Sequence, residues 1–160
     1  MTIQVGDRIP SATLLKAGAE GPQPVDTDSY FAGRKVALFS VPGAFTPTCS
    51  VRHLPSYVEK HDELTAKGVD EIACVAVNDA FVLQAWAQQS GAEGKVTMLS
   101  DGNGDFSKAI GLTMDASKFG MGTRGQRWSA IVDDGVVKEL NVEEPGAFSV
   151  SGAEFLLGQL

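Results

Sequence analysis

Lys35-Val-Ala-Leu-Phe-Ser-Val41, running on into Pro42-Gly-Ala-Phe-Thr-Pro-Thr-Cys-Ser50, is the stretch that decides the fold. Its first seven residues form a short apolar run bounded by Gly33-Arg34 and Pro42-Gly43, the pattern of a strand buried on both faces. Pro42 to Thr48 reads as loop. A helix is expected from about Thr48 to Lys67, with Pro55 bending or interrupting it and Gly68 closing it. A buried strand that feeds a loop and then a helix is the opening half of a parallel crossover.

The same alternation continues downstream. Ile72-Ala-Cys-Val-Ala-Val77 is a second buried strand, Asp79 to Ser90 a helix closed by Gly91, and Val96-Thr-Met-Leu99 a third strand. A short helix follows near Asp105 to Ile110, and residues 113–126, which show no period, are expected as loop. Trp128-Ser-Ala-Ile-Val132 and Val136-Val-Lys-Glu-Leu140 flank Asp133-Asp134-Gly135, a strong hairpin signal. Ser151-Gly-Ala-Glu154 has capping-box spacing and opens a C-terminal helix. The order β-α-β-α-β-α-β-β-α implies an α/β fold of the thioredoxin-like kind, a mixed central β-sheet flanked by helices on both faces. No repeat or linker divides the chain, so one domain is expected over 1–160.

With 160 residues, 43% hydrophobic and 21% charged, the chain has ample apolar content for a core, which excludes disorder. No apolar run is long enough to span a bilayer. The segment Met1-Thr-Ile-Gln-Val-Gly-Asp7 has neither a basic head nor an apolar centre, so no leader is expected and a cytoplasmic setting is. Thirteen basic residues against twenty acidic ones, with no basic cluster, argue against a nucleic-acid partner.

The two cysteines, Cys49 and Cys74, cannot build a disulfide framework, and no Cys-x-x-Cys pair exists. Cys49 follows a strand's C-terminal end, where ligand sites form in open α/β sheets. Pro47 suits the first helical position, which places Cys49 in the first turn, facing free N–H groups and the positive end of the helix dipole. Both favour a thiolate over a thiol. Cys74 sits mid-strand between apolar neighbours, the setting of an inert core thiol.

Pro42-Gly-Ala-Phe-Thr46-Pro-Thr-Cys49 resembles the Pro-x-x-x-Thr-x-x-Cys motif of peroxiredoxins, in the form carried by the type II, peroxiredoxin five-like subfamily. The resemblance continues through Val51-Arg-His-Leu-Pro55, Val75-Ala-Val-Asn-Asp79, Leu99-Ser-Asp101 and Arg127-Trp-Ser-Ala-Ile-Val-Asp-Asp-Gly-Val136. It implies a thiol-dependent peroxidase reducing hydrogen peroxide and alkyl hydroperoxides through a cysteine sulfenic acid, without metal or organic cofactor. Cys49 is then the peroxidatic nucleophile. Thr46 bonds sulfur and peroxide oxygen, Pro42 shields the thiolate and shapes the loop, and Arg127 comes to the sulfur from a distant strand. On their own these three would read as a helix N-cap, a strand terminator and a solvated charge. The internal partner cysteine that some members carry late in the chain is missing here, so an external thiol is implied: glutathione with glutaredoxin, or thioredoxin. A homodimer is implied too, with its interface near the active-site loops and Phe45, Phe119 and Trp128 as candidates if they prove exposed. A redox sensor that passes oxidation of Cys49 to a client protein is the alternative.

Ionisation alone is insufficient for such chemistry, because full ionisation of an ordinary cysteine at pH 7 gains only about thirty-fold in nucleophile. A donor placed on the departing oxygen contributes on the order of 10²–10³ in rate.

Several motifs fail on context. Gly120-Met-Gly-Thr-Arg-Gly125 fits a dinucleotide fingerprint but precedes a strand. Asp101-Gly-Asn-Gly-Asp105 starts like a calcium loop, yet Phe106 and Leu112 occupy the required glycine and glutamate. Cys49, Cys74, His53 and His61 lack zinc-finger spacing. His53, four residues after Cys49, suggests a Cys-His hydrolase pair but has no evident third member to orient it.

Overall fold

The computed structural model describes residues 2–160; Met1, with which the N-terminal segment read above begins, lies outside them. Seven strands form one sheet in the order β2-β1-β5-β4-β3-β8-β9. At its centre β3 (Lys35–Ser40), β4 (Glu71–Ala76) and β5 (Thr97–Ser100) run parallel. On one side β8 (Trp128–Asp133) and β9 (Val136–Val142) pair antiparallel, and on the other β1 (Thr13–Lys16) and β2 (Gln23–Asp26) do the same. This is the mixed sheet expected, of thioredoxin-like type, and alternate residues of β3 show its two cores. Phe39 packs with Cys49, Tyr57, Trp86 and Leu156, while Leu38 packs with Phe31, Leu99, Phe106 and Trp128 on the opposite face.

Helix α4 (Ala80–Gln89) begins at an Asp79 cap whose Oδ1 accepts the Val82 N–H at 2.8 Å, and α5 (Asp105–Ile110) ends at Gly111. Asp134 and Gly135 both take left-handed φ, 50° and 80°, the geometry of a tight hairpin turn that matches strand twist.

Three differences from the sequence reading have physical causes. The hairpin β1–β2 and helix α1 (Thr27–Phe31) precede the first strand read from the sequence. Of the residues in β1 only Leu14 is buried, and β2 carries Pro24 on the sheet edge, so neither strand has a period to detect. Residues 113–126 are not loop throughout: β6 (Thr113–Asp115) and β7 (Thr123–Gly125) pair around a 3₁₀ turn at Ser117–Phe119, each too short for a pattern. Ser151 is not a capping residue. Gly152 caps α6 (Ala153–Leu157) without a side chain, and the Ala153 N–H instead meets Ser56 Oγ at 3.2 Å.

The long helix expected from Thr48 to Lys67 is divided. It starts at Pro47, winds as a π-helical turn over Cys49–His53, and continues as α2 (Leu54–Glu59) and α3 (His61–Ala66). The Leu54 N–H closes the wide turn on Cys49 O. Pro55 gives no N–H to the carbonyl of Val51 and its ring crowds that carbonyl, so loosening the turn just before it is the accommodation to be expected.

Candidate active site

Cys49 has no exposed surface, and its Sγ accepts a hydrogen bond from Arg127 Nη2 at 3.2 Å. Two residues far apart in sequence are thus in direct contact. Arg127 immediately precedes β8, and the residue before it, Gln126, is held from both sides. Ser40 Oγ donates to Gln126 O at 2.8 Å, the Gln126 N–H donates to Leu112 O at 2.8 Å, and Gln126 Nε2 reaches Thr113 O at 2.9 Å. Beside it a Cβ on Gly125 would stand 3.1 Å from both Ser40 Oγ and Ser107 Oγ, so a side chain there would have to push both hydroxyls back by a few tenths of an ångström. The short β6–β7 ribbon is what delivers the guanidinium.

The other guanidinium nitrogen, Nη1, donates to His53 Nδ1 at 2.8 Å. Arginine has only donors, so Nδ1 must present its lone pair and the imidazole proton sits on Nε2. From there it donates to Ser151 O at 3.0 Å, a carbonyl that also accepts the Tyr57 hydroxyl at 2.8 Å. Burial first, and the Arg127 charge second, push His53 down to about 3, so the ring is neutral at pH 7. His53 is therefore no general base for Cys49. It is an acceptor that holds the arginine, and its four-residue spacing from Cys49 is the sequence signal for it. Phe39, Tyr57 and Phe148 surround the ring.

Thr46 and Pro42 lie where the motif puts them, with different contacts from those expected. The Thr46 hydroxyl donates to Gly43 O at 2.7 Å rather than to sulfur. The Ser50 N–H goes to Thr46 O at 2.9 Å, so among the described residues the donor reaching Cys49 Sγ is the guanidinium, not the first-turn amides. Pro42 lines a largely apolar cavity of about 570 Å³ with Thr48, Phe119, Arg127 and the segment Glu143–Ala147. Its carbonyl accepts from Arg124 Nη1 at 3.1 Å, a clamp on the loop that the sequence did not announce. Phe45 takes left-handed backbone geometry, φ 65°, and the adjacent Ala44 N–H is fixed by Asn78 Oδ1 at 2.9 Å. A bulky residue there holds strain, which persists because the surrounding bonds determine it. Trp86 Nε1 donates to Ser50 Oγ at 3.0 Å and ties the π turn to α4.

Cys74 is fully buried in β4 and, like Cys49, is a free thiol. Burial pushes its thiol well up, the nearby Cys49 sulfur adds to this, and Arg127 opposes it. Of the aromatic interface candidates, Phe45 and Phe119 are exposed, at 47% and 73%, whereas Trp128 is 2% exposed and belongs to the core. Among the described residues no cluster of three His, Cys, Asp or Glu side chains could hold a metal ion.

The redoxin family model matches residues 4–157. The chain is 52% identical over 164 residues to peroxiredoxin-2E-2, chloroplastic, of Oryza sativa subsp. japonica, covering 99% of this chain and 73% of that protein. It resembles the solved structure of reduced Prx3 in complex with H₂O₂ from Vibrio vulnificus with a TM-score of 0.95, 51% identity and 99% of each chain covered. A Burkholderia cenocepacia structure described as a putative thioredoxin reductase also aligns, with a TM-score of 0.96, 47% identity and coverage of 100% and 99%.

Proposed function

Because the chain belongs to the type II, peroxiredoxin five-like peroxiredoxins, and is accordingly a thiol-dependent peroxidase, we propose that Cys49 is its peroxidatic sulfur, working on hydrogen peroxide and alkyl hydroperoxides. The observation that carries the assignment is the Arg127 guanidinium 3.2 Å from a Cys49 Sγ that has no exposed surface. The Cys49 thiolate attacks the terminal peroxide oxygen. An S–O bond forms, the O–O bond breaks, and the departing oxygen takes a proton to leave as water or alcohol. Arg127 holds the sulfur in the ground state and the oxygens as charge moves across them, where a fixed donor outweighs mobile water. Thr46 turns its hydroxyl from Gly43 to the incoming oxygen, and Pro42 keeps water from the sulfur.

The sulfenic acid then condenses with an external thiol, releasing water and forming a mixed disulfide. A second thiol breaks that disulfide and restores Cys49. Glutathione with glutaredoxin, or thioredoxin, is the reductant we favour, since Cys74 lies buried within a strand and neither half of an internal disulfide is prepared. The whole chain works as one domain. The exposed Phe119 in the cavity wall and the exposed Phe45 in the loop before Cys49 support a homodimer near the active-site loops, and the two free thiols support a reducing, cytoplasmic setting.

A coupled assay with hydrogen peroxide and glutathione, glutaredoxin or thioredoxin as alternative donors tests this reading. Sustained turnover with one of them is expected. One round of Cys49 oxidation with no turnover on any donor would instead select a sensor that hands its oxidation to a client protein.

A further inference from the structure

Four donor groups converge on one carboxylate outside the sequence motif. Glu143 follows β9, is 7% exposed, and accepts from the Ser149 N–H on both oxygens, at 2.9 and 2.8 Å. Its Oε2 also accepts from the Val150 N–H at 2.8 Å, the Ser151 N–H at 2.8 Å and Ser151 Oγ at 2.7 Å. The Glu143 N–H donates to Arg127 O at 3.0 Å, so the residue touches the arginine's backbone as well. Burial pushes the carboxyl up, but the Ser151 hydroxyl and the three amides outweigh it and hold the group below the usual carboxylate range. The segment from Glu144 to Phe148 is thereby closed into a loop around its own anion, one wall of which lines the cavity beside Arg127.

We propose that Glu143 is a positioning residue for the peroxidase reaction: its carboxylate fixes the backbone at Ser149–Ser151, the Ser151 carbonyl orients His53, and His53 aims Arg127 at Cys49. Every link is a hydrogen bond of 3.2 Å or less. The polarity is consistent along the line. An anion gathers the N–H groups of Ser149–Ser151, the next peptide unit presents the Ser151 carbonyl to the imidazole N–H, and the imidazole's lone pair receives the guanidinium. Turning the imidazole over would set an N–H against the guanidinium and a lone pair against the Ser151 carbonyl. A guanidinium on a long flexible stem needs such a second anchor, because a misplacement of about 1 Å at a reacting centre costs on the order of 10² in rate.

The inference rests on the peroxidase reading of Cys49 and Arg127. A carboxylate that only closes a loop would contribute to stability and leave the chemistry alone, so the test reads the chemistry directly. The rate constant for oxidation of Cys49 by hydrogen peroxide is measured by stopped-flow fluorescence on its high-pH plateau, where thiolate fraction no longer limits it. Glu143→Gln keeps the volume but turns an NH₂ toward the amides, and is expected to lower the plateau about 10-fold. In a His53→Ala background the same substitution is expected to add less than about 2-fold, because contacts in one chain do not act additively. Should Glu143→Gln fail to fold, Ser151→Ala, which deletes one of the four donors and keeps the carbonyl, is expected to show the same non-additivity at smaller amplitude. A wild-type plateau in Glu143→Gln, or equal losses in both backgrounds, overturns the positioning role. Arg127→Ala at the wild-type rate would overturn the reading beneath it instead, so the two failures are distinguishable.

Discussion

Replacing Arg127 by alanine separates two jobs that the guanidinium performs on one sulfur. At 3.2 Å and an effective dielectric near 20, a unit cation and the Cys49 thiolate interact by about 5 kcal/mol. The part of this already present before the peroxide arrives stabilises reactant and transition state alike and contributes nothing to the chemical step. The part felt only as charge spreads onto the peroxide oxygens is lost at every pH. Removal of one preorganised donor from a water-poor site costs on the order of 10²–10³ in rate. The expected outcome is therefore a plateau rate constant for hydrogen peroxide reduced by about two to three orders of magnitude. Stopped-flow fluorescence across pH supplies the rate, and thiolate absorbance near 240 nm supplies the ionisation independently. An Arg127→Ala plateau within about three-fold of wild type, with the whole deficit traced to ionisation, would refute the account, since transition-state stabilisation has to persist when the thiolate is complete.

Cys74→Ser is expected to retain thiol-dependent turnover while Cys49→Ser loses it; a dead Cys74→Ser enzyme that remains folded contradicts an external reductant. The unfolded chain protonates His53 near its ordinary value of about 6.5, and the folded protein only near about 3. This contribution to stability is complete above the higher value and declines by up to about 1.4 kcal/mol per pH unit below it. Urea unfolding between pH 7 and pH 5 should show that slope, and His53→Leu should flatten it; an unchanged slope removes His53 as its source. For the proposed homodimer, Phe119→Glu is expected to shift sedimentation from dimer to monomer; an unchanged profile, or a monomeric wild type, removes Phe119 from any such interface. Asn78→Ala leaves the Ala44 N–H without its acceptor and should cost about 1–3 kcal/mol in chemical denaturation.

The central sheet was readable because β3 and β4 are buried on both faces and stand between glycine and proline boundaries. The edge hairpin was not, since Leu14 alone of β1 is buried and a strand with a single buried residue shows no alternation. In the site, Cys49, Thr46 and Pro42 are neighbours in sequence, so a motif can announce them. Arg127 was legible only through resemblance, because nothing local marks one charged residue at a strand start for burial against sulfur. Thr46 lay in the right place with a different bond, for the sequence says where a hydroxyl is and not which of two acceptors holds it. His53 was visible by spacing, yet its role depends on a carbonyl nearly a hundred positions later, and Glu143 acts through backbone amides that carry no sequence signature.

The complete burial of Cys49 imposes an asymmetry between the two halves of its cycle. A hydroperoxide offers a slender oxygen tip that a narrow doorway admits, whereas a reducing sulfur arrives with its carrier molecule behind it and must line up with the S–O bond. One static aperture cannot serve both visitors. The π-wound turn is the part able to give way, and because Pro55 donates no hydrogen to Val51, unwinding can stop there and leave α2 standing. With electron donors of increasing bulk, turnover is therefore expected to fall while the rate of Cys49 oxidation by hydrogen peroxide stays constant.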